Sequence, residues 1–120
     1  VITRISHAVM YVADQAASVR FYVQQLGFEL VRDDEMFPGA RWVEVVPPGA
    51  QTSIVLSPAA AFGKQPGEGA YLHFACDDVH ATRERLSAAG VEVSDVTVEP
   101  WGTYFTAADP DGNQVMIAEG

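Results

Sequence analysis

The feature that most constrains this chain is an internal repeat. His7, in one apolar run, is matched by His73 in another, and Leu26-Gly27-Phe28-Glu29-Leu30 is matched by Ala89-Gly90-Val91-Glu92-Val93. The same order of elements reads around both. Residues 6–12 are apolar and rich in strand formers, and they end at Ala13-Asp14. Asp14 has the chemistry of a helix cap, and Val19, Tyr22, Val23 and Leu26 recur at i, i+3, i+4 and i+7 before Gly27 closes an amphipathic helix. Three β-like runs follow at 28–33, 40–46 and 52–57, separated by Phe37-Pro38-Gly39 and Pro47-Pro48-Gly49. In the second half, 70–76 reads as a strand, Asp77-Asp78 as a helix start, 79–89 as the helix and Gly90 as its stop. Strands at 91–98, 103–108 and 114–119 complete it, the last two joined by Asp109-Pro110-Asp111-Gly112, a strong turn sequence.

The expected architecture is therefore α+β: a single domain over 1–120 built from two tandem βαβββ modules, 1–57 and 70–120. The Ala-, Gly- and Pro-rich stretch 58–69 is the connector. Each module has a four-stranded sheet with one face under its helix, so the other faces are expected to form a cup-shaped, barrel-like pocket.

At 120 residues a chain buries roughly two thirds of the surface its unfolded form exposes, so folding needs no metal or disulfide staple. Sixteen acidic against seven basic residues give a net charge of −9, a field that repels phosphate backbones and argues against nucleic acid as a partner. Cys76 is the single cysteine, so an internal disulfide and a cysteine-based zinc site are both excluded, and a cytoplasmic location is expected. Asp77 and Asp78 beside it disfavour a nucleophilic thiolate. Val1-Ile2-Thr3-Arg4-Ile5-Ser6-His7 has no apolar core of a leader, and no run approaches the ~20 apolar residues of a membrane span, so no membrane partner is expected. Hydrolase elbows, phosphate loops and dinucleotide fingerprints have no match.

Ser6-His7 with Asp14 seven residues on, Phe21-Tyr22, Leu26-Gly27-Phe28 and Asp109-Pro110-Asp111-Gly112-Asn113 together resemble the vicinal oxygen chelate superfamily. That superfamily includes glyoxalase I, bleomycin-resistance proteins, extradiol dioxygenases, fosfomycin-resistance enzymes and methylmalonyl-CoA epimerase. The resemblance covers nearly the whole chain and implies paired modules, often domain-swapped or side by side in a homodimer, with a divalent metal in the enzymes. Glyoxalase-like sites take a His from the first strand and a Glu from the last strand of each module. His7 and His73 stand at the two His positions, while the Glu positions fall on Met116 and near Val55. A thioether is soft and an isopropyl group cannot ligate, so the carboxylate half of the set is missing.

Strand alternation puts His7, Val9 and Tyr11 on one face, and Trp42 and Glu44 on one face of the third strand. Glu119, three residues beyond Met116, falls on the opposite face from it, and His80 reads as a solvated helix residue. Phe62, Tyr104 and Phe105 add to the aromatics at strand and loop positions. Two principal readings stay open. In the first, a homodimeric protein binds a small organic molecule, for sequestration or resistance, against His7, Tyr11, Trp42, Glu44, Val55, His73, Trp101 and Met116, with no certain cofactor. In the second, His7, His73 and Glu44 hold nickel, zinc, iron or manganese in a divergent lyase, isomerase or dioxygenase. A third makes the chain a dimerisation module without a ligand.

Overall fold

A computed structural model describes residues 4–68 and 71–120. Val1-Ile2-Thr3, the expected connector end at Gly69 and the expected strand start at Ala70 lie outside the described residues. The chain divides into two compact units, Val1–Ala70 and Tyr71–Gly120.

The first unit carries β1 (His7–Val12), β2 (Glu29–Phe37), β3 (Ala40–Val46) and β4 (Ser53–Pro58) in the sheet order β1-β4-β3-β2, with β1 parallel to β4 and the other pairs antiparallel. One face of this sheet is apolar. Met10, Val12, Val43, Val45, Ile54 and Leu56 are buried there, as are Phe21 and Tyr22 of the helical segment. The Tyr22 hydroxyl donates to Met10 Sδ at 3.1 Å, which satisfies a polar group that burial would otherwise leave unpaired. At the helix start, Asp14 Oδ1 accepts from the Ala17 N–H at 3.2 Å, and Gln15 Nε2 donates to the carbonyls of Arg41 and Leu56 at 2.8 Å each.

The expected single α-helix is instead two pieces, α1 (Gln15–Val19) and a π-helical segment over Arg20–Gln25. The reason lies in the spacing. Asp14 and Gly27 are thirteen residues apart, whereas Asp78 and Gly90, the matching cap and stop of the second unit, are twelve apart. A π turn absorbs one extra residue without moving either end. The closing bonds record it: the Phe28 N–H donates to the Tyr22 carbonyl six residues back, and the Val91 N–H to the Leu86 carbonyl five back.

Two other elements run longer than expected. β2 continues through Phe37 because Pro38 and Gly39 alone make the turn, with Gly39 at φ 85° and Phe37 paired to Ala40. β4 includes Pro58, and the stretch expected to be an irregular connector forms a 3-10 turn over Ala59–Phe62. That stretch then meets β1 at Tyr11: the Tyr11 N–H donates to the Glu68 carbonyl and the Gly67 N–H to the Tyr11 carbonyl, both at 3.1 Å, so the edge of β1 is covered at that residue.

The second unit carries β5 (Leu72–Cys76), α2 (Val79–Ala88), β6 (Glu92–Val93), β7 (Thr97–Glu99), β8 (Gly102–Ala108) and β9 (Gln114–Glu119), with the order β5-β9-β8-β6 and β7 also on β8. The expected strand over 91–98 is broken in two. Val93 pairs with Ala107 and Thr97 with Tyr104, so residues 94–96 face only Phe105 and Thr106. Ser94 marks the break, its Oγ accepting the Thr106 N–H at 2.9 Å and its carbonyl accepting Arg83 Nε at 2.8 Å. Asp78 Oδ1 caps α2 through the Ala81 N–H at 3.0 Å, and Glu119 Oε1 accepts the Val79 N–H at 3.0 Å. Glu119 is thus a helix-capping group. Val79, Leu86, Phe105, Ala107, Val115 and Ile117 form the core of this unit. The turn before β9 is tied by Asp109, whose Oδ1 accepts the N–H groups of Asp111 and Asn113 and whose Oδ2 accepts Asn113 Nδ2.

The fold is α+β, and among the described residues no helix is long and apolar enough to cross a membrane.

Candidate functional site

The open face of the first sheet gathers five of the expected residues, His7, Tyr11, Trp42, Glu44 and Val55. Glu44 on β3 pairs in register with Val55 on β4, and His7 on β1 pairs with Ser53, so alternation sends all four side chains to one face. His7 Nε2 lies 3.3 Å from Glu44 Oε1. The same carboxylate oxygen accepts Trp42 Nε1 at 2.9 Å, and Oε2 accepts the Ser53 hydroxyl at 2.7 Å. The Glu44 side chain is only 16% exposed. Burial opposes its charge, but the bonds from Ser53, Trp42 and His7 outweigh that cost and hold its carboxyl below the ordinary range. An ionised carboxylate only accepts, so His7 Nε2 presents an N–H to it, while Nδ1 lies 3.0 Å from Ser6 Oγ.

Trp42 is held on several sides. The His7 ring meets it edge-on at 5.8 Å, and the Arg32 guanidinium lies 5.0 Å from its centroid while Arg32 Nε pairs with Asp34 at 2.7 Å. An open cleft of about 210 Å³ runs beside this network, lined by residues that include Arg4, Ser6, His7, Glu44, Gln51 and Ser53. Tyr11, further along β1, has Lys64 of the connector 5.7 Å over its ring. Val55 is buried, at 5% exposure, and presents little to a ligand.

The second sheet is built differently. His73 on β5 pairs with Met116 on β9, which pairs in turn with Thr106 on β8. The exposed neighbour of His73 is Tyr71, edge-on at 5.2 Å. Trp101, 65% exposed, stacks on Tyr104 at 5.1 Å and 17°. His80 is exposed on α2.

Sequence reasoning missed Ser53 and Arg32. Ser53 is distinguished only by register, since nothing in Thr52-Ser53-Ile54 says that its hydroxyl meets a carboxylate on β3. Arg32 belongs to a strand whose nine residues are all exposed, and its position over Trp42 follows from β2 pairing in register with β3.

The superfamily often uses divalent metals, and the donor set here fits one poorly. Met116 stands opposite His73 where a carboxylate would be needed, and Ser53, Val55 and Ser57 are the side chains of β4 on the His7 face. Glu44 does reach His7, but from β3, across the intervening β4, with both oxygens occupied by N–H or O–H donors. Among the described residues no three His, Cys, Asp or Glu side chains converge as a metal site would require.

These features define a duplicated α+β protein with polar and aromatic residues on the open faces of its sheets. Residues 4–117 match the family profile "Glyoxalase/Bleomycin resistance protein/Dioxygenase superfamily", and the chain belongs to that superfamily. It is 34% identical to the uncharacterised protein YetH of Bacillus subtilis (strain 168), over 98% of this chain and 99% of that one. A superfamily member from Sphaerobacter thermophilus DSM 20745 superposes with a TM-score of 0.90 at 34% identity, covering 99% of this chain and 98% of that one. TnmS3, an antibiotic binding protein from Streptomyces sp. CB03234, superposes with a TM-score of 0.88 at 35% identity, covering 98% and 96%.

Proposed function

We propose that this chain binds a small organic molecule against the open face of its first sheet, without metal chemistry, in a sequestration or resistance role. The observation that carries the reading is the Glu44 carboxylate. It is held ionised by Ser53, Trp42 and His7, with both oxygens taken by donors, while Val55 stands at the last-strand position where a metal-using relative would carry its carboxylate. A fixed charge beside a tryptophan ring anchors a ligand with a cationic group and an apolar body. Tyr11, on the His7 face of β1, is a further proposed contact. The likeness to an antibiotic binding protein over nearly the whole chain supports the binding reading. Homodimer formation and a cytoplasmic location belong to the same proposal, the latter supported by the lone Cys76.

The test is a thermal-shift and calorimetric screen with bleomycin as a cationic glycopeptide and doxorubicin as a planar aromatic amine, each with and without EDTA. Binding that raises the melting temperature, persists in EDTA and weakens in Trp42→Ala is expected. Silence from both probes, or binding abolished by EDTA, contradicts the proposal. Light scattering on the same sample reads the oligomeric state, where a monomer removes the dimer.

A further inference from the structure

The second nitrogen of His7 and the residue before it take no part in the binding proposal. Ser6 is exposed at the entry to β1, with its Oγ 3.0 Å from His7 Nδ1. His7 Nε2 is oriented by Glu44 Oε1 at 3.3 Å, and Glu44 is itself fixed by Trp42 and Ser53. In the neutral Nε2–H tautomer that Glu44 favours, Nδ1 presents its lone pair to the Ser6 hydroxyl. A hydroxyl, a base and a carboxylate that orients the base are the three parts of an activated oxygen nucleophile, recognised by mutual geometry and not by chain order. All three side chains line the same open cleft, so a substrate has access to the hydroxyl. Arg4 lines that cleft too, tethered through Nη1 to the Gln51 carbonyl at 2.9 Å, and it supplies a cation for a developing oxyanion.

We propose that Ser6 is a nucleophile served by His7 and positioned through Glu44, and that it accepts an acyl group from a small ester. In that reaction Ser6 Oγ attacks the carbonyl carbon and its proton passes to His7 Nδ1. The bond from the carbonyl carbon to the leaving oxygen then breaks, and the leaving alcohol takes the proton from His7. Water repeats the sequence on the acyl-Ser6, releasing the acid and restoring the hydroxyl. No oxidant, metal or cofactor enters the balance.

The test uses the full chain and a fluorophosphonate, which loses fluoride as the serine oxygen bonds to phosphorus. Labelling is followed by intact mass and peptide mapping in the presence of EDTA. A single adduct on Ser6 is expected, absent from Ser6→Ala and slowed at least ~100-fold in His7→Ala, the low end of what a general base contributes. Glu44→Gln, which preserves the shape of the side chain, slows labelling while leaving the adduct site unchanged, and it keeps the proposal testable if His7→Ala folds poorly. An unlabelled Ser6 in folded protein overturns the proposal, as does a labelling rate that is the same in Glu44→Gln and the parent. Because no antibiotic is present, the result stands apart from the binding screen.

Discussion

The two halves of this molecule begin from the same pattern and end with different chemistry. His7 and His73 occupy matching places in first strands that each run parallel to the last strand of their sheet. Yet His7 is engaged on both ring nitrogens, by Ser6 and Glu44, whereas His73 faces Met116 in register and packs against Tyr71. The lesson is that a duplicated histidine does not imply a duplicated role. The role is set by what the other strands bring within reach: Glu44 of β3 lies 3.3 Å from His7, whereas Met116 of β9 is the register partner of His73.

The comparison can be broken first at the cores. Tyr22 and Leu86 are the large buried side chains that anchor each helix to its sheet. Tyr22→Ala is expected to cost about 3–5 kcal/mol and Leu86→Ala about 2–5 kcal/mol in urea unfolding, by cavity formation and lost contacts. A loss below about 1 kcal/mol for either would show that its helix is not seated on the sheet as described.

The stop residues come next. Gly27 and Gly90 sit at φ 84° and 86°, where a Cβ is strained, so alanine at either is expected to destabilise by about 1–2 kcal/mol. The two losses should match despite the π turn in the first unit, since that turn delivers Gly27 to the same conformation. Unequal shifts in unfolding midpoint would mean that the extra residue strains the first stop. The caps are the smaller version of the same test, with Asp14→Ala and Asp78→Ala each expected to cost about 1 kcal/mol.

Smallest in size but opposite in sign are two pH effects. Glu44 has its folded pKa lowered, so its contribution to stability is present above the ordinary carboxyl range and is lost as pH falls through the folded value. Asp109 has its folded pKa raised by burial, partly offset by the bonds from Asn113 and Asp111. Its contribution is therefore fully present below its ordinary value of 3.8 and is lost as pH rises through the raised one. Unfolding midpoints between acid and neutral pH should show Glu44→Gln and Asp109→Asn changing the pH slope in opposite directions. A common direction would contradict one of the two assignments.

Much of this was legible before the fold was known. Alternation placed His7 on the open face of its strand and grouped Trp42 with Glu44, because one sheet face is buried and the period of two leaves no freedom. The Asp109-Pro110-Asp111-Gly112 turn and both aspartate caps could be read because their chemistry is local. What escaped reading depends on register or on counting. Ser53 reaches Glu44 only through the pairing of β1, β3 and β4, and Lys64 reaches Tyr11 only because the connector meets β1 at that residue. The π segment was hidden in the one-residue difference between the two cap-to-stop spacings, and the break at Ser94 in a side chain that takes the place of a backbone acceptor.

The most direct test of the central claim, that His7 is committed to the Glu44 network and not to a metal, is nitrogen-15 NMR of the histidine rings with and without equimolar zinc. His7→Gln assigns the signals. The account predicts that neutral His7 is the Nε2–H tautomer and that zinc leaves its resonances in place. A deprotonated Nε2, or a His7 signal displaced by zinc at one equivalent, would contradict it.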